Sequence, residues 1–150
     1  MPHDADKQQF HHATRLALPA RRENSTQKLT IVDHRGRHSM HVTVGFLDSG
    51  QPIEIFAVLS KTGSSERANL DSMARAVSLG LQHGVPLQSF VEMFIGSRGH
   101  PAGTVIGHPN IKRCQGPLDL IFRWLGFEYC EMKELGHVFP ETADTQGMRL

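Results

Sequence analysis

Cysteine is scarce in this sequence. Cys114 and Cys130 are the only two cysteines among 150 residues, and they do not form a Cys-x-x-Cys pair. The N-terminal residues also lack the apolar core of a secretory signal. These absences argue against a secreted disulfide scaffold, and the sequence indicates a cytoplasmic protein with two free thiols.

Long apolar runs and a strong net charge are absent as well. No apolar stretch approaches the roughly 20 residues that a membrane-spanning helix needs. The formal net charge is +1 with 21% charged residues, so no broad electric field would attract nucleic acid or an acidic membrane. We therefore expect neither a nucleic-acid partner nor a membrane partner.

Apolar patterning is confined to the middle of the chain. We expect mobile tails at residues 1–14 and 141–150, and one folded domain over residues 15–140. A chain of this length can bury about 68–70% of its unfolded surface, so it can form a core without disulfides or metals.

Three strands are predicted in the first half of that domain. They are the stretches QKLTIVD, HSMHVTVGFLD and PIEIFAVLS, joined by the short turns HRGR and DSGQ. Such short connections imply an antiparallel meander. Apolar residues two apart in the second strand predict one covered face and one wetter face; they are Met40, Val42, Val44 and Phe46.

Helical periodicity follows the strands. A stripe from Leu70 to Leu81 predicts a helix over residues 65–82, with Ser78 and Gln82 off the stripe. Shorter helices are predicted over residues 86–95 and 117–126. The fold class is therefore α+β, with an antiparallel β-meander of about three or more strands packed against two to three helices. The expected core residues are Leu70, Met73, Val77, Leu81, Phe90, Phe94, Phe122 and Leu125.

Two further segments are less regular. Residues 97–110 are rich in Gly and Pro, which predicts a long ordered loop or an active surface loop. Residues 127–139 are expected to return as a final strand or extended segment.

The stretch LSKTGSSE is predicted to run from a strand through a hydroxyl-rich loop into a helix. This order of elements can bind a phosphate group at the N-terminus of the helix, so we compare it with the P-loop motif. A P-loop requires G-x-x-x-x-G-K-[ST], whereas Lys61 here precedes the single glycine. A helix start capped by Ser64 or Ser65, with Glu66 in the first turn, accounts better for the pattern.

The ten histidines do not give a metal site. His34, His38, His100 and His108 lack the spacing that three or four tetrahedral zinc ligands require, so we predict no metal and assign no catalytic residue. The Gly- and Pro-rich segment nevertheless carries polar side chains that could contact a ligand or a partner. These candidates are Arg98, His100, His108 and Cys114.

The order of segments resembles a known family. The stretches GQPIEIFAVLSKTGSS, SLGLQHGVPL and LDLIFRWLGFEY carry the resemblance, which extends over about residues 16–138. They resemble a region near the C-terminal end of adenosylcobalamin-dependent (class II) ribonucleotide reductases. The family activity that this implies is ribonucleoside-diphosphate reduction, which supplies deoxyribonucleotides for DNA replication.

The resemblance also implies what this chain lacks. In that family a large barrel holds the radical-forming cysteine, the reducing cysteine pair and adenosylcobalamin, and none of those segments matches this sequence. No catalytic or cofactor-binding residue carries over. We therefore expect that no cofactor is bound by this chain alone.

Two functional hypotheses follow. The first is a non-catalytic accessory subunit or stand-alone domain that binds a catalytic reductase chain, or a second copy of itself. The second is an independent small ligand-binding protein or enzyme with a site in residues 97–114.

Overall fold

A computed structural model of the protein describes residues 14–60 and 63–139. Apart from Thr14, the two predicted tails lie outside the described residues. The strands are β1 (Glu23–Asp33), β2 (Gly36–Phe46), β3 (Pro52–Leu59), β4 (Gly103–Ile106) and β5 (Arg113–Cys114). The helices are α1 (Ser64–Gln82), α2 (Leu87–Phe94) and α3 (Pro117–Tyr129), followed by a 3₁₀ turn at Lys133–Leu135.

The five strands form one antiparallel sheet in the order β3-β2-β1-β4-β5. The predicted meander of three strands and the α+β class are both confirmed. No helix within the described ranges is long and apolar enough to cross a bilayer.

The β1–β2 hairpin is closed by the predicted turn around Gly36. Asp33 accepts a hydrogen bond from the Arg35 backbone N–H at 2.8 Å, and its Oδ1 lies 2.9 Å from His38 Nε2. The bond to His38 is the main cause that lowers the pKa of Asp33 below its usual value. Gly36 has a φ of +114°, which only glycine adopts without strain.

One face of the sheet is the core. Leu29, Ile31, Met40, Val42 and Val44 are fully buried there, and α1 packs against β3. The opposite face is wetter, as predicted, although Phe56 and Val58 are half exposed on it. Of the expected core residues, five are buried and three are half-buried; the half-buried ones are Met73, Phe90 and Phe94.

The outer edge of β3 is covered by polar side chains of α1. Ser78 Oγ accepts a hydrogen bond from the Ile55 N–H at 2.9 Å and donates one to the Ile55 carbonyl at 3.1 Å. The Gln82 amide donates to the Ile53 carbonyl at 3.4 Å. These side chains occupy backbone groups of β3 that a neighbouring strand would otherwise bond. They therefore protect an edge of the sheet that could pair with another chain.

The segment predicted as a loop contains a strand. β4 pairs with β1 through Thr30, Ile31 and Val32. Gly103, the first residue of β4, and Gly107, which follows the strand, have φ of +148° and +108°. A Cβ on either would lie within 2.7 Å of a β1 carbonyl oxygen. The strand therefore depends on two glycines that let the backbones approach closely.

Two local predictions were wrong. Residues 127–129 continue α3 and residues 133–135 form the 3₁₀ turn, so of the two alternatives for residues 127–139 the final strand is wrong. At the start of α1, Gly63 is the N-cap residue in place of the predicted Ser64 or Ser65, whereas Glu66 does lie in the first turn.

Candidate functional site

The segment between α2 and α3 is fixed at both ends by one buried carboxylate. Asp119 is fully buried, and its two oxygens accept hydrogen bonds from the backbone N–H of Gly96 at 2.7 Å and of Gln115 at 2.9 Å. Arg123 Nη2 donates to Asp119 Oδ1 at 3.1 Å. Asp119 thus joins the beginning of the segment, its end and the first turns of α3.

Sequence reasoning missed Asp119. A signal was present, because the residue stands two positions after the Pro that begins α3 and four before Arg123. An acidic residue in the first helical turn and an (i, i+4) acid–base pair are both common on exposed helices, so the pattern does not reveal burial.

Arg98 and His100, two of the candidate contact residues, are exposed. Both line a pocket of about 180 Å³, whose apolar wall is formed by Leu70 and Met73 of α1 together with Leu118. A pocket of this size is below the range of typical small-molecule sites. It is large enough for a single side chain of another protein.

His108, the third candidate, is buried. Its Nδ1 accepts hydrogen bonds from the backbone N–H groups of Asn110 at 3.0 Å and Ile111 at 3.2 Å. Its Nε2 lies 2.7 Å from Glu128 Oε1, and the edge of the ring packs on Phe127. Because Nδ1 accepts two bonds, the proton is on Nε2, and the ring joins the segment to α3.

Cys114, the fourth candidate, is also buried. It lies in β5 opposite Gly103, and burial raises the pKa of its thiol. Burial raises the pKa of Cys130 too, and the two cysteines are free. Both are therefore protonated thiols at neutral pH, which are poor nucleophiles.

A second and larger cleft adjoins Cys114. It has a volume of about 750 Å³, and its polar lining includes Arg113, Gln115, Arg123 and His137. The structure therefore places the candidates in three environments: Arg98 and His100 at the small pocket, Cys114 at the larger cleft, and His108 in neither cavity.

One wall of this cleft is held by hydrogen bonds to Asn110. The Asn110 carbonyl accepts bonds from His137 N–H at 2.7 Å and Val138 N–H at 3.0 Å, and its side chain donates to the Val138 carbonyl at 2.6 Å. His137 Nδ1 accepts a bond from the Lys112 N–H at 3.0 Å. Burial lowers the pKa of His137, and the charges of Arg113 and Arg123 lower it further.

The described residues do not fit the cofactor that the resemblance implies. Adenosylcobalamin is far larger than the ligands that clefts of about 180 or 750 Å³ enclose. Within residues 14–60 and 63–139, no group of three or more His, Cys, Asp or Glu side chains could hold a metal ion.

Comparisons with known proteins agree with the sequence resemblance. The chain is 39% identical over 139 residues to the vitamin B12-dependent ribonucleotide reductase of Agrobacterium fabrum, covering 90% of this chain and 11% of that protein. Reductases with the same name from Bradyrhizobium diazoefficiens and Rhodopirellula baltica are 40% and 34% identical, over 84% and 89% of this chain and 10% and 12% of theirs. The chain thus spans about a tenth of the length of these relatives.

No solved structure matches the chain. The family model of the TSCPD domain matches residues 12–128, a range that runs from before β1 almost to the end of α3. The chain therefore belongs to the TSCPD domain family.

Proposed function

We propose that this chain is a cytoplasmic, non-catalytic accessory domain that binds a catalytic ribonucleotide reductase chain and so takes part in deoxyribonucleotide synthesis. One observation carries the proposal: between 84% and 90% of this chain aligns with only 10–12% of each named reductase. The remaining nine tenths of those reductases have no counterpart in this sequence.

The thiol chemistry of the described residues supports a non-catalytic role. Reduction of a ribonucleotide through a thiyl radical needs one cysteine for the radical and further thiols that supply two electrons. This chain has only Cys114 and Cys130, and burial raises the pKa of both. Both side chains are therefore protonated at neutral pH, and a protonated thiol reacts poorly.

The contact with the catalytic chain would involve the segment after α2. Arg98 and His100 are exposed beside the pocket of about 180 Å³, so they can reach another protein directly. His108 and Cys114 are 6% and 8% exposed, so their contribution would be to hold the shape of the segment. Met93, on the preceding helix α2, is 72% exposed and adds apolar surface.

The alternative, an independent ligand-binding protein or small enzyme, is favoured by a different observation. The cleft of about 750 Å³ beside Cys114 falls within the size range of small-molecule sites. A second copy of this chain is a further candidate partner.

A reconstitution assay tests the accessory role. The catalytic chain is the Agrobacterium fabrum reductase from which the matched segment has been deleted, and it is supplied with adenosylcobalamin, a ribonucleoside diphosphate and a dithiol. We expect no deoxyribonucleotide from this chain alone, and stimulation when this chain is added to the deleted reductase. Product formed by this chain alone would overturn the proposal, as would the absence of both stimulation and a complex.

Substitutions sharpen the assay. Arg98→Ala and His100→Ala are expected to weaken the complex by about tenfold each, which corresponds to the loss of about one charge-assisted or polar contact. The matched control is Arg67→Ala, because Arg67 is exposed on α1 and lines neither cavity. Equal binding by all three variants would show that the contact lies elsewhere on the domain.

A further inference from the structure

We propose that the cleft beside Cys114 binds a small molecule through an anionic group, either a phosphate or a carboxylate. We call this site the arginine cleft and define it by Arg113, Arg123, His137 and Gln115. The proposal does not depend on the accessory role, because none of these residues belongs to the surface around Arg98 and His100.

Arg113 supplies a cation that has no charge partner within residues 14–60 and 63–139. It lies in β5 next to Cys114, its side chain is exposed, and it lines the cleft. Among the described residues it takes part in no side-chain hydrogen bond or ion pair, unlike Arg22 and Arg123. A guanidinium presents a planar set of donors that matches the oxygens of a carboxylate or a phosphate.

Arg123 supplies a second guanidinium that is already held in place. Nη1 donates to the Leu135 carbonyl at 3.0 Å, and Nη2 donates to Asp119 at 3.1 Å. A guanidinium has five N–H donors, so other donors remain, and Nε is buried without a partner in the described part of the chain. Binding an anion here would cost little side-chain entropy because Arg123 is fixed beforehand.

His137 adds a neutral donor. Its Nδ1 accepts the Lys112 N–H, so its Nε2 carries the proton and can donate to a ligand. The hydrogen bonds to Asn110 hold the backbone on which it lies. Phosphate and carboxylate oxygens accept from such a donor as well as from arginine.

Two carboxylates, Asp119 and Glu134, also line the cleft, and neither forms an ion pair with Arg113 among the described residues. Asp119 is fully buried and is occupied by Gly96, Gln115 and Arg123. At His137, the charges of Arg113 and Arg123 lower the pKa more than Asp119 raises it. Glu134 is exposed, so solvent screens its charge.

The dimensions indicate a ligand larger than a bare ion. A volume of about 750 Å³ lies within the range of about 300–1,000 Å³ that small organic ligands occupy. Gly103, Gly136 and Phe139 also line the cleft, and they leave room and apolar surface for the remainder of such a molecule.

The test is a titration of the full chain with inorganic phosphate and, separately, with acetate. Ionic strength is held constant with chloride, since surface electrostatics are screened by salt. Binding is followed by calorimetry and by the NMR signals of the His137 ring and the Cys114 amide. We expect saturable binding with a millimolar dissociation constant and shifts at both residues. A stronger response to phosphate identifies a phosphate ester as the ligand class, and a stronger response to acetate identifies a carboxylate.

Three variants with little effect on folding make the test specific. Arg113→Gln is expected to weaken binding about tenfold or more, and Glu134→Gln is expected to strengthen it, because each changes one exposed charge at the cleft. Arg67→Gln on α1 is the control and is expected to bind like the unmodified protein. The proposal is overturned if neither anion shifts the His137 and Cys114 signals, or if Arg113→Gln binds as tightly as the control.

Discussion

Two regions of this domain are built on different principles. In the sheet β1–β3 with helix α1, apolar residues repeat with the period of a strand or a helix, and most of them are buried where the pattern predicts. In residues 96–116, structure depends on Asp119, on His108 and on the close approach of Gly103 and Gly107 to β1. At its apolar positions the first region depends mainly on the polarity and volume of each side chain, whereas the second region depends mainly on particular hydrogen-bonding atoms and glycines.

The largest effect is expected from a charge in the patterned region. Val77 is 3% exposed on the buried face of α1, so Val77→Asp places an unpaired carboxylate among apolar side chains. We expect a loss of about 4–5 kcal/mol in the free energy of unfolding, measured by urea denaturation. Val77→Ile adds one methylene without a charge; it is the control and should cost about 1–3 kcal/mol, less than Val77→Asp. An unchanged melting temperature for Val77→Asp would contradict the comparison.

A nearly equal loss in the free energy of unfolding is expected when the Asp119 carboxylate is removed from the second region. Asp119→Ala removes the acceptor of two backbone N–H groups and leaves the Arg123 guanidinium without its carboxylate. Breaking a buried pair typically costs about 3–5 kcal/mol. Asp71→Ala removes an exposed carboxylate 4.0 Å from Arg75 and should change stability by about 0.5 kcal/mol or less. If both variants unfold at the same urea concentration, the segment does not depend on Asp119.

An intermediate effect is expected at the edge of β3. Ser78→Ala leaves the Ile55 N–H and carbonyl without their partner, and a buried polar group without a partner costs about 1–3 kcal/mol. Hydrogen exchange at the Ile55 amide provides a direct readout, because exchange should accelerate there more than at β1. The control is Ser72→Ala, at an exposed position on α1, and it should leave that exchange rate unchanged.

The smallest effect concerns pH and the hairpin turn. The hydrogen bond from His38 lowers the pKa of Asp33 below its usual 3.8. The resulting stabilisation is therefore present above pH 3.8 and is lost as the pH falls through the lowered pKa of Asp33. His38→Ala should move that pKa back up, as followed by NMR titration of the Asp33 carboxyl group. A pKa that does not change would mean that the Arg35 N–H and other causes dominate.

The sequence identified most elements of the first region because its signals are local. Alternation in β2 and the stripe on α1 follow directly from where successive side chains point along a strand or a helix. The sequence did not show that Ser78 and Gln82, which lie outside the apolar stripe, are buried and bond to the edge of β3. Their hydrogen bonds are made to β3, more than 20 residues away in the chain, so no local pattern could show them.

The candidate site was predicted only in part for the same reason. Arg98 and His100 lie at an exposed pocket, which agrees with a contact role, and this role stays a prediction. Arg123 and His137, which line the larger cleft, belong to segments that the sequence associated with a helix and a final strand. They come together because α3 and the chain after it fold back on β5.

The sequence by itself determined the α+β class, the antiparallel meander, the main helices and the family resemblance, because each depends on the periodicity or order of neighbouring residues. Tertiary structure decided that β4 joins the sheet, that His108 and Cys114 are interior, and that Arg113, Arg123 and His137 share one cleft. Burial and the convergence of charges depend on residues far apart in the chain. The packing of α3 against β5, and the hydrogen bonds of His137 to Asn110 and Lys112, bring those residues within reach of one another.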